Sequence, residues 1–372
     1  MRKVVLILTT LIVTLSLLVF SINMYISLQV KSLEKVSIVT ESKDNQSMVN
    51  VEENNSTIYE NLENEVNILL FSTGSKGLDP DFYQDLGIGK SRAKMKDGLT
   101  DSIVLVNYNK LNQRVNLISI PRDLYIEKYG NRVNTLYNRS PKIFADEVSN
   151  LLGLKVDHMI AVNFQAFVSI YEIFGGLTLD IPYPVRDEKA KLYIEEAGCQ
   201  NLNGIELLAF ARSRNWQVYK NGAWRSDSTS SDWGRIDRQQ YILRESLSQI
   251  GKLELLFNID KIFAIMNKNV IIDENLSYGK IISLVTNVLK SSPNIKAYTY
   301  PGKGAMIAEM SVILPNFEAA ELLKNKLNNY SSLEEISSSE KEKINSNEKE
   351  NNPTMPWLEN SGNGGKLYKN CS

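Results

Sequence analysis

The chain has 372 residues, enough for one large domain or two ordinary ones, and 43% of them are hydrophobic, so a sizeable core is available. Its 42 basic and 43 acidic residues give a net charge of −1, which speaks against a general nucleic-acid binder, so any anion site must be a local gathering of positive charge. One histidine, His158, excludes histidine-rich metal sites and Ser-His-Asp triads, and two distant cysteines, Cys199 and Cys371, form no disulfide framework and no zinc spacing, so they read as two unpaired thiols.

Residues 1–3 read as a short cytoplasmic N-terminus. Val4 to Ile26 carries no charged residue. As a helix it would measure about 34 Å, against a bilayer core of about 30 Å. Arg2 and Lys3 precede it, which by the positive-inside rule places the rest of the chain outside the cytoplasm. A cleaved signal peptide is the rival, but no small-x-small site comes after Phe20, so a single retained membrane anchor is preferred. Residues 27–64 are polar and read as an extracytoplasmic spacer; residues 331–372, rich in Ser, Glu, Lys and Asn, read as a disordered tail. The globular body is 65–330.

Strands are expected at Val66–Phe71, Ser102–Val106 and Val115–Ile120, with a hairpin turn at Asn109–Asn112. Pro121 ends the third, leaving Arg122 and Asp123 at its exit. Ser140-Pro141 starts a helix and Gly153 stops it. A strand at Met159–Val162, a helix from Phe164 to Phe174 and a strand at Leu177–Ile181 come after it. Next are a short helix from Gly204 to Phe210 and a longer one capped by Asp232 and running to Ile250. Helices at Leu253–Met266 and Tyr278–Leu289, a strand at Lys296–Tyr300 and a helix near Phe317–Leu327 complete the body. This alternation predicts an α/β fold, a central sheet with helices on both faces.

Three pieces point toward phosphate. Arg122 sits at a strand end. In Arg212-Ser213-Arg214, an extended backbone turns residues i and i+2 to the same side. In Asp232–Gln240, a helix places Arg235, Arg238 and Gln239 at i, i+3 and i+4, near the positive helix pole. Arginine binds phosphate oxygens in bidentate fashion, though each of these arginines also has an acidic neighbour that would explain it by simple pairing. His158 reads as a structural hydrogen-bonder. Trp216, Trp224 and Trp233 read as sugar-stacking residues or as cover for a local core.

The ordered set of motifs resembles the LytR-CpsA-Psr proteins of bacterial envelopes. It comprises Asn67–Leu70, Asp101–Ile103, Ile118–Asp123, Tyr129–Asn134, Asp157-His158 with Val162–Phe164 after it, Gly175-Gly176, Leu202–Gly204, Arg212–Arg214 and Asp232–Gln240. The resemblance implies a three-layer α-β-α domain with a central mixed sheet, behind one N-terminal transmembrane helix at the cell membrane. It implies a phosphotransferase that moves a glycopolymer (teichoic acid, capsule or secondary wall polysaccharide) from a polyprenyl-pyrophosphate carrier to peptidoglycan. The lipid would lie in an apolar tunnel with its pyrophosphate among Arg122, Arg212, Arg214, Arg235, Arg238 and Gln239. Asp101 would hold Mg2+ or Mn2+. Nucleic acid is not an expected partner: an exported domain has no access to DNA.

Two positions depart from the family pattern. Ser75 stands where a metal-ligating Asp is expected, and Leu99 where an Arg is expected. They support a second reading, a non-catalytic binder of polyprenyl phosphates or wall polymer acting as an envelope scaffold or modulator. Two stretches look inserted, 76–98 and 216–231, the latter placed to form a lid or a polymer-binding lip.

Overall fold

The computed structural model describes residues 34–37, 65–74, 99–226, 229–249, 258–276, 280, 284, 287, 288, 293–332 and 371. The expected membrane span 4–26, Ser75 and the stretch 76–98 lie outside them, as does most of the helix expected at 278–289. Among the described residues no helix is long and apolar enough to cross a membrane.

The chain runs through β1 (Glu34–Val36), β2 (Glu65–Gly74), β3 (Ile103–Asn109) and β4 (Arg114–Ser119) to a small hairpin, β5 (Tyr125–Ile126) and β6 (Asn131–Arg132). Helices α1 (Leu136–Arg139) and α2 (Pro141–Leu152) precede β7 (His158–Asn163) and α3 (Phe164–Ile173). Four short strands come next: β8 (Leu177–Ile181), β9 (Val185–Asp187), β10 (Leu192–Ile194) and β11 (Gly198–Leu202). Helix α4 (Gly204–Arg212), the hairpin β12 (Gln217–Lys220) and β13 (Ala223–Ser226), and helix α5 (Asp232–Gln249) succeed them. The chain continues through α6 (Ile259–Asn269), β14 (Val270–Asp273), β15 (Asn294–Thr299), the hairpin β16 (Gly302–Ile307) and β17 (Met310–Pro315), and α7 (Phe317–Ser332).

The central sheet has seven strands in the order β1-β14-β7-β2-β3-β4-β15. It is mixed: β1–β14, β7–β2 and β4–β15 are parallel, the other pairs antiparallel. Strands covered on both faces need continuous apolar runs, and Ile68–Phe71 and Ile103–Val106 supply them. One face sends Leu69, Phe71, Leu105 and Ile118 against Phe144, Val148 and Leu152 of α2 and Leu323 of α7. The other sends Val104 and Leu117 toward Leu243 of α5. The sheet is therefore sandwiched between helices.

Local signals explain the helix ends. Pro141 occupies the first turn of α2, and Gly153 closes it at φ 66°, a left-handed position that glycine adopts without a Cβ penalty. Ser140 stands at the expected cap position, but its hydroxyl makes no cap hydrogen bond.

Two expectations are corrected. Residues 34–36, inside the expected spacer, form β1 and extend the sheet in parallel beside β14. Cys199 and Cys371 are bonded to each other rather than free. Their separation of 172 residues hid the pair; the β8–β11 ribbon presents Cys199 at an exposed position where the returning chain meets it. The stretch after Trp216, expected as a lid or a polymer-binding lip, is ordered: β12 and β13 join β9 and β10 in a four-stranded sheet. His158 is the structural hydrogen-bonder expected. It is buried, its Nδ1 is 3.1 Å from Asp273 on β14, and it takes no part in lining the cavity between the sheet and α3, α4 and α5.

Candidate active site

That cavity has a volume of about 420 Å³. Helix α5 sets its chemistry. Arg235, Gln239, Ile242 and Leu243 line one wall and share one helix face. From Arg235 to Leu243 the wall rises about 12 Å at ~1.5 Å per residue and passes from charged to apolar. Leu70, Val104 and Val162 of the sheet, with Phe164, Phe167 and Leu208 of α3 and α4, complete the apolar depth.

The rim is built from chain ends. Strand β4 stops at Ser119, and Pro121 hands over to Arg122, which contacts Asp101 and lies 3.5 Å from Asp123. Helix α4 begins in a capping box, Asn203 accepting from the Glu206 N–H at 3.0 Å while Glu206 accepts from the Asn203 N–H at 2.9 Å. It runs two residues beyond the expected end, to Arg212, and Ser213 turns the chain extended at ψ 133°. Arg212 and Arg214 thus flank the turn, and both reach the cavity.

The segment after α4 is held by two buried charges. Asp187 of β9 accepts from Ser213 Oγ at 2.8 Å, the Arg214 N–H at 3.0 Å and the Asn215 N–H at 2.8 Å. Burial alone would raise its carboxyl; the hydrogen bonds from Asn215, Ser213, Arg214 and Ala190 outweigh it and hold the pKa below the ordinary value. Asp187→Ala is therefore expected to release residues 213–215. Affinity for a diphosphate ligand should fall about tenfold, one 1.4 kcal/mol step, although Asp187 is not in the cavity wall. Isothermal titration with inorganic diphosphate checks this.

Arg238 is the second buried charge. It is 1% exposed, and its guanidinium donates to the carbonyls of Phe210 (3.3 Å), Thr229 (3.2 Å) and Ser213 while lying over the Trp216 ring. It faces away from the cavity wall, so the structure does not bring it to the pyrophosphate site expected from sequence. On a helix, i+3 and i+4 diverge by about 100°; Gln239 takes the cavity side and Arg238 the interior. Gln239 bridges the wall, donating to the Ala211 carbonyl at 3.0 Å and accepting from Ser102 at 3.0 Å. Gly234 permits this packing, since a Cβ there would sit 2.0 Å from the Thr229 carbonyl oxygen.

Arg132 is not among the site arginines expected from the sequence. The β5–β6 hairpin carries it to the cavity wall, 3.4 Å from Asp123. Its signal was present in the Gly130-Asn131-Arg132 turn, where Gly130 adopts φ 58°.

Among the described residues, five guanidinium groups line the cavity: Arg122, Arg132, Arg212, Arg214 and Arg235. Three carboxylates oppose them. Asp101 and Asp123 are in the wall, and Asp232 lies 3.0 Å from Arg235 and 3.7 Å from Arg214. Burial depresses Arg235 to about 10; Asp232 opposes this and Arg122 reinforces it. Arg122 moves the other way, because Asp101, Asp123 and Asp232 outweigh its burial. The Nε atoms of Arg132 and Arg235 are buried with no hydrogen-bond partner among the described residues, and that of Arg122 has only the 3.5 Å ion pair with Asp123. Such donors are costly to leave unmet, by about 1–3 kcal/mol each, and fit an anion with several oxygens.

The LytR_cpsA_psr family model matches residues 24–329. The chain belongs to the LytR-CpsA-Psr family. Among curated LytR-CpsA-Psr relatives, it is 29% identical over 197 residues to the Bacillus subtilis polyisoprenyl-teichoic acid–peptidoglycan teichoic acid transferase TagV, covering 50% of this chain and 47% of that protein. It is 25% identical over 241 residues to biofilm regulatory protein A of Streptococcus mutans, covering 60% of this chain and 56% of that protein. The chain thus spans about half the length of these relatives. The crystal structure of B. subtilis TagV superposes with a TM-score of 0.52 at 22% identity, over 71% of this chain and 96% of that one. The structure of TagT bound to LI-WTA gives 0.53 at 20% identity, over 78% and 98%. These likenesses establish the LytR-CpsA-Psr fold.

The carboxylates bear on the metal that the family implies. Asp123 is shared between Arg122 and Arg132, whereas Asp101 is engaged on one side, by Arg122. The cluster of Asp180, Cys199 and Cys371 is spent in the disulfide. Among the described residues, a cation here would have Asp101 as its protein ligand and would take other oxygens from phosphate and water, a set that Mg2+ accepts. Leu99, where an arginine was expected, lies in the wall and is 42% exposed.

Asp237, one turn into α5, gives a separate prediction. Burial pushes its carboxyl up to about 6, against the pull of Arg238. Its ordinary value is about 3.9, so folding and ionisation oppose each other. Relative stability is full below about pH 4 and is lost as pH rises through about 6. Asp237→Asn should then stabilise the protein by about 1–2 kcal/mol at pH 7.5, the linkage value discounted for partial exposure, and by nothing at pH 4. Urea midpoints at the two pH values check this.

Proposed function

We propose that this chain is a phosphotransferase that joins a glycopolymer, carried on a polyprenyl pyrophosphate, to peptidoglycan through a phosphodiester. The observation that carries the reading is one cavity with an apolar depth and five arginines at its rim. A polyprenyl chain fits the depth, and a diphosphate fits the rim. TagV, by its name, is a teichoic acid transferase to peptidoglycan, which supports the same class.

In the reaction, a sugar hydroxyl of the acceptor bonds to the phosphorus that carries the polymer. The bond from that phosphorus to the bridging oxygen breaks, and polyprenyl phosphate leaves with the electron pair. Negative charge spreads over the transferring and leaving oxygens, and fixed guanidinium groups stabilise it. Arg122 and Arg235 are more buried than Arg132 and Arg214 and would carry most of this work; Arg132, Arg212 and Arg214 complete the cradle. Asp101 is placed to accept the hydroxyl proton or to hold Mg2+ (or Mn2+), which when bound would offset charge on the diphosphate.

The Cys199–Cys371 bond supports an exported domain, since disulfides persist in oxidising compartments. With Val4–Ile26 as a single membrane anchor, the cavity would meet lipid carriers at the outer face of the membrane.

The test is transfer of a labelled glycopolymer from a synthetic polyprenyl-pyrophosphate donor to peptidoglycan oligomers by the full-length chain, with and without Mg2+. Transfer that requires Mg2+ supports the enzyme. Tight donor binding with no transfer under either condition leaves the binding-protein reading, which the exposed Leu99 in the wall favours.

A further inference from the structure

The outer face of the four-stranded sheet has no role in the chemistry above. Strands β9 and β10, and β12 from Gln217 to Tyr219, alternate between buried and outward side chains. Val185, Leu192, Ile194 and Val218 point into a buried core, and Asp187 joins them to hold the Arg214 segment. The opposite face carries Tyr193, Arg186, Gln217 and Ser226 in one row across β10, β9, β12 and β13, with Tyr219 and Trp224 in the next.

These side chains are arranged against one another. Arg186 donates through Nε to Gln217 Oε1 at 2.8 Å and lies 4.5 Å over the Trp224 ring. Tyr219 and Trp224 pair at 5.4 Å between centroids. Tyr193 is 58% exposed and Tyr219 42%. Exposed aromatic rings beside ordered amide and guanidinium donors are poor at excluding water from a core. They suit a ligand with flat C–H faces and many hydroxyls.

Position narrows the ligand. Gln217 lies three residues after Arg214, so the platform begins within about 10 Å of chain from the cavity rim. The cavity's apolar depth takes the lipid end of the donor, so the acceptor must approach from outside the rim. Among the described residues, these two rows offer rings and one guanidinium, Arg186, already stacked on Trp224, in place of the several cations that a polyphosphate chain needs. We propose that this sheet face is the docking site for the acceptor, a glycan strand of N-acetylated amino sugars, and that it leads the strand to Arg214. The proposal rests on the transferase reading for its purpose but not for its test.

The test uses the full-length chain and chitohexaose, a soluble oligomer of N-acetylglucosamine, with binding followed by tryptophan fluorescence and calorimetry. Tyr193→Ala/Tyr219→Ala changes two exposed rings and should leave the fold intact, as circular dichroism checks. Binding by the wild type, weakened tenfold or more in the double variant and kept in Tyr219→Phe, is the expected result. Affinity for a polyprenyl pyrophosphate should be the same in both proteins. No chitohexaose binding by the wild type, equal binding in the double variant, or preference of this face for a soluble poly(glycerol phosphate) would each overturn the proposal. Transfer from the polyprenyl-pyrophosphate donor, measured separately, decides the transferase reading alone.

Discussion

Arg238→Ala is expected to destabilise the protein by about 3–4 kcal/mol. A hydrogen bond to a charged group contributes about 1.5–3 kcal/mol, and three carbonyls lose their donor together. The side chain is 1% exposed, so water does not readily take its place, and Trp216 loses the guanidinium that lies over it. The carbonyls belong to Phe210, Ser213 and Thr229, on both sides of the Arg212–Arg214 turn. The loss therefore reaches the rim from behind. Arg238→Lys should recover little, since one ammonium cannot span three acceptors set for a planar fork. Urea unfolding with an unchanged slope and a lowered midpoint is the expected record; a midpoint equal to wild type contradicts it.

Arg122→Ala is expected to lower kcat of transfer by about 10²–10³-fold, the cost of removing one preorganised group from developing charge. Arg122 is the guanidinium that Asp101 and Asp123 share, and their charges hold its pKa above the ordinary value. Its removal leaves Asp101 without its guanidinium and Asp123 with Arg132 alone, so net negative charge faces the diphosphate and donor affinity should fall too. Folding should change far less than in Arg238→Ala, because the Arg122 side chain is 16% exposed and its partners reach solvent. A variant with wild-type kcat and a raised KM alone would place Arg122 in ground-state binding only.

The central sheet and most helices were legible because apolar runs and breakers agree: Ile68–Phe71 and Ile103–Val106 are strands, and Pro141 and Gly153 bound α2. The rim was legible in Arg122, Arg212, Arg214, Arg235 and Gln239, whose neighbours in sequence fix their direction. Arg238 was not, because a period places a residue on a face without saying what packs there; Phe210 and Thr229 come from elsewhere in the chain. Arg132 was hidden because a two-residue strand gives no periodic signal. The disulfide was hidden for the same reason as the β9–β10–β12–β13 sheet: both depend on pairings between distant segments that only the folded chain brings together.

The measurement that bears most directly on the cavity's role is a crystal structure of the full-length chain with a short-chain polyprenyl pyrophosphate. The expected result has the diphosphate within hydrogen-bond reach of Arg122, Arg214 and Arg235, the prenyl chain between Phe164, Leu208 and Ile242, and Arg238 still on its three carbonyls. A diphosphate bound away from Arg122 and Arg235, or a prenyl chain outside the cavity, would contradict it.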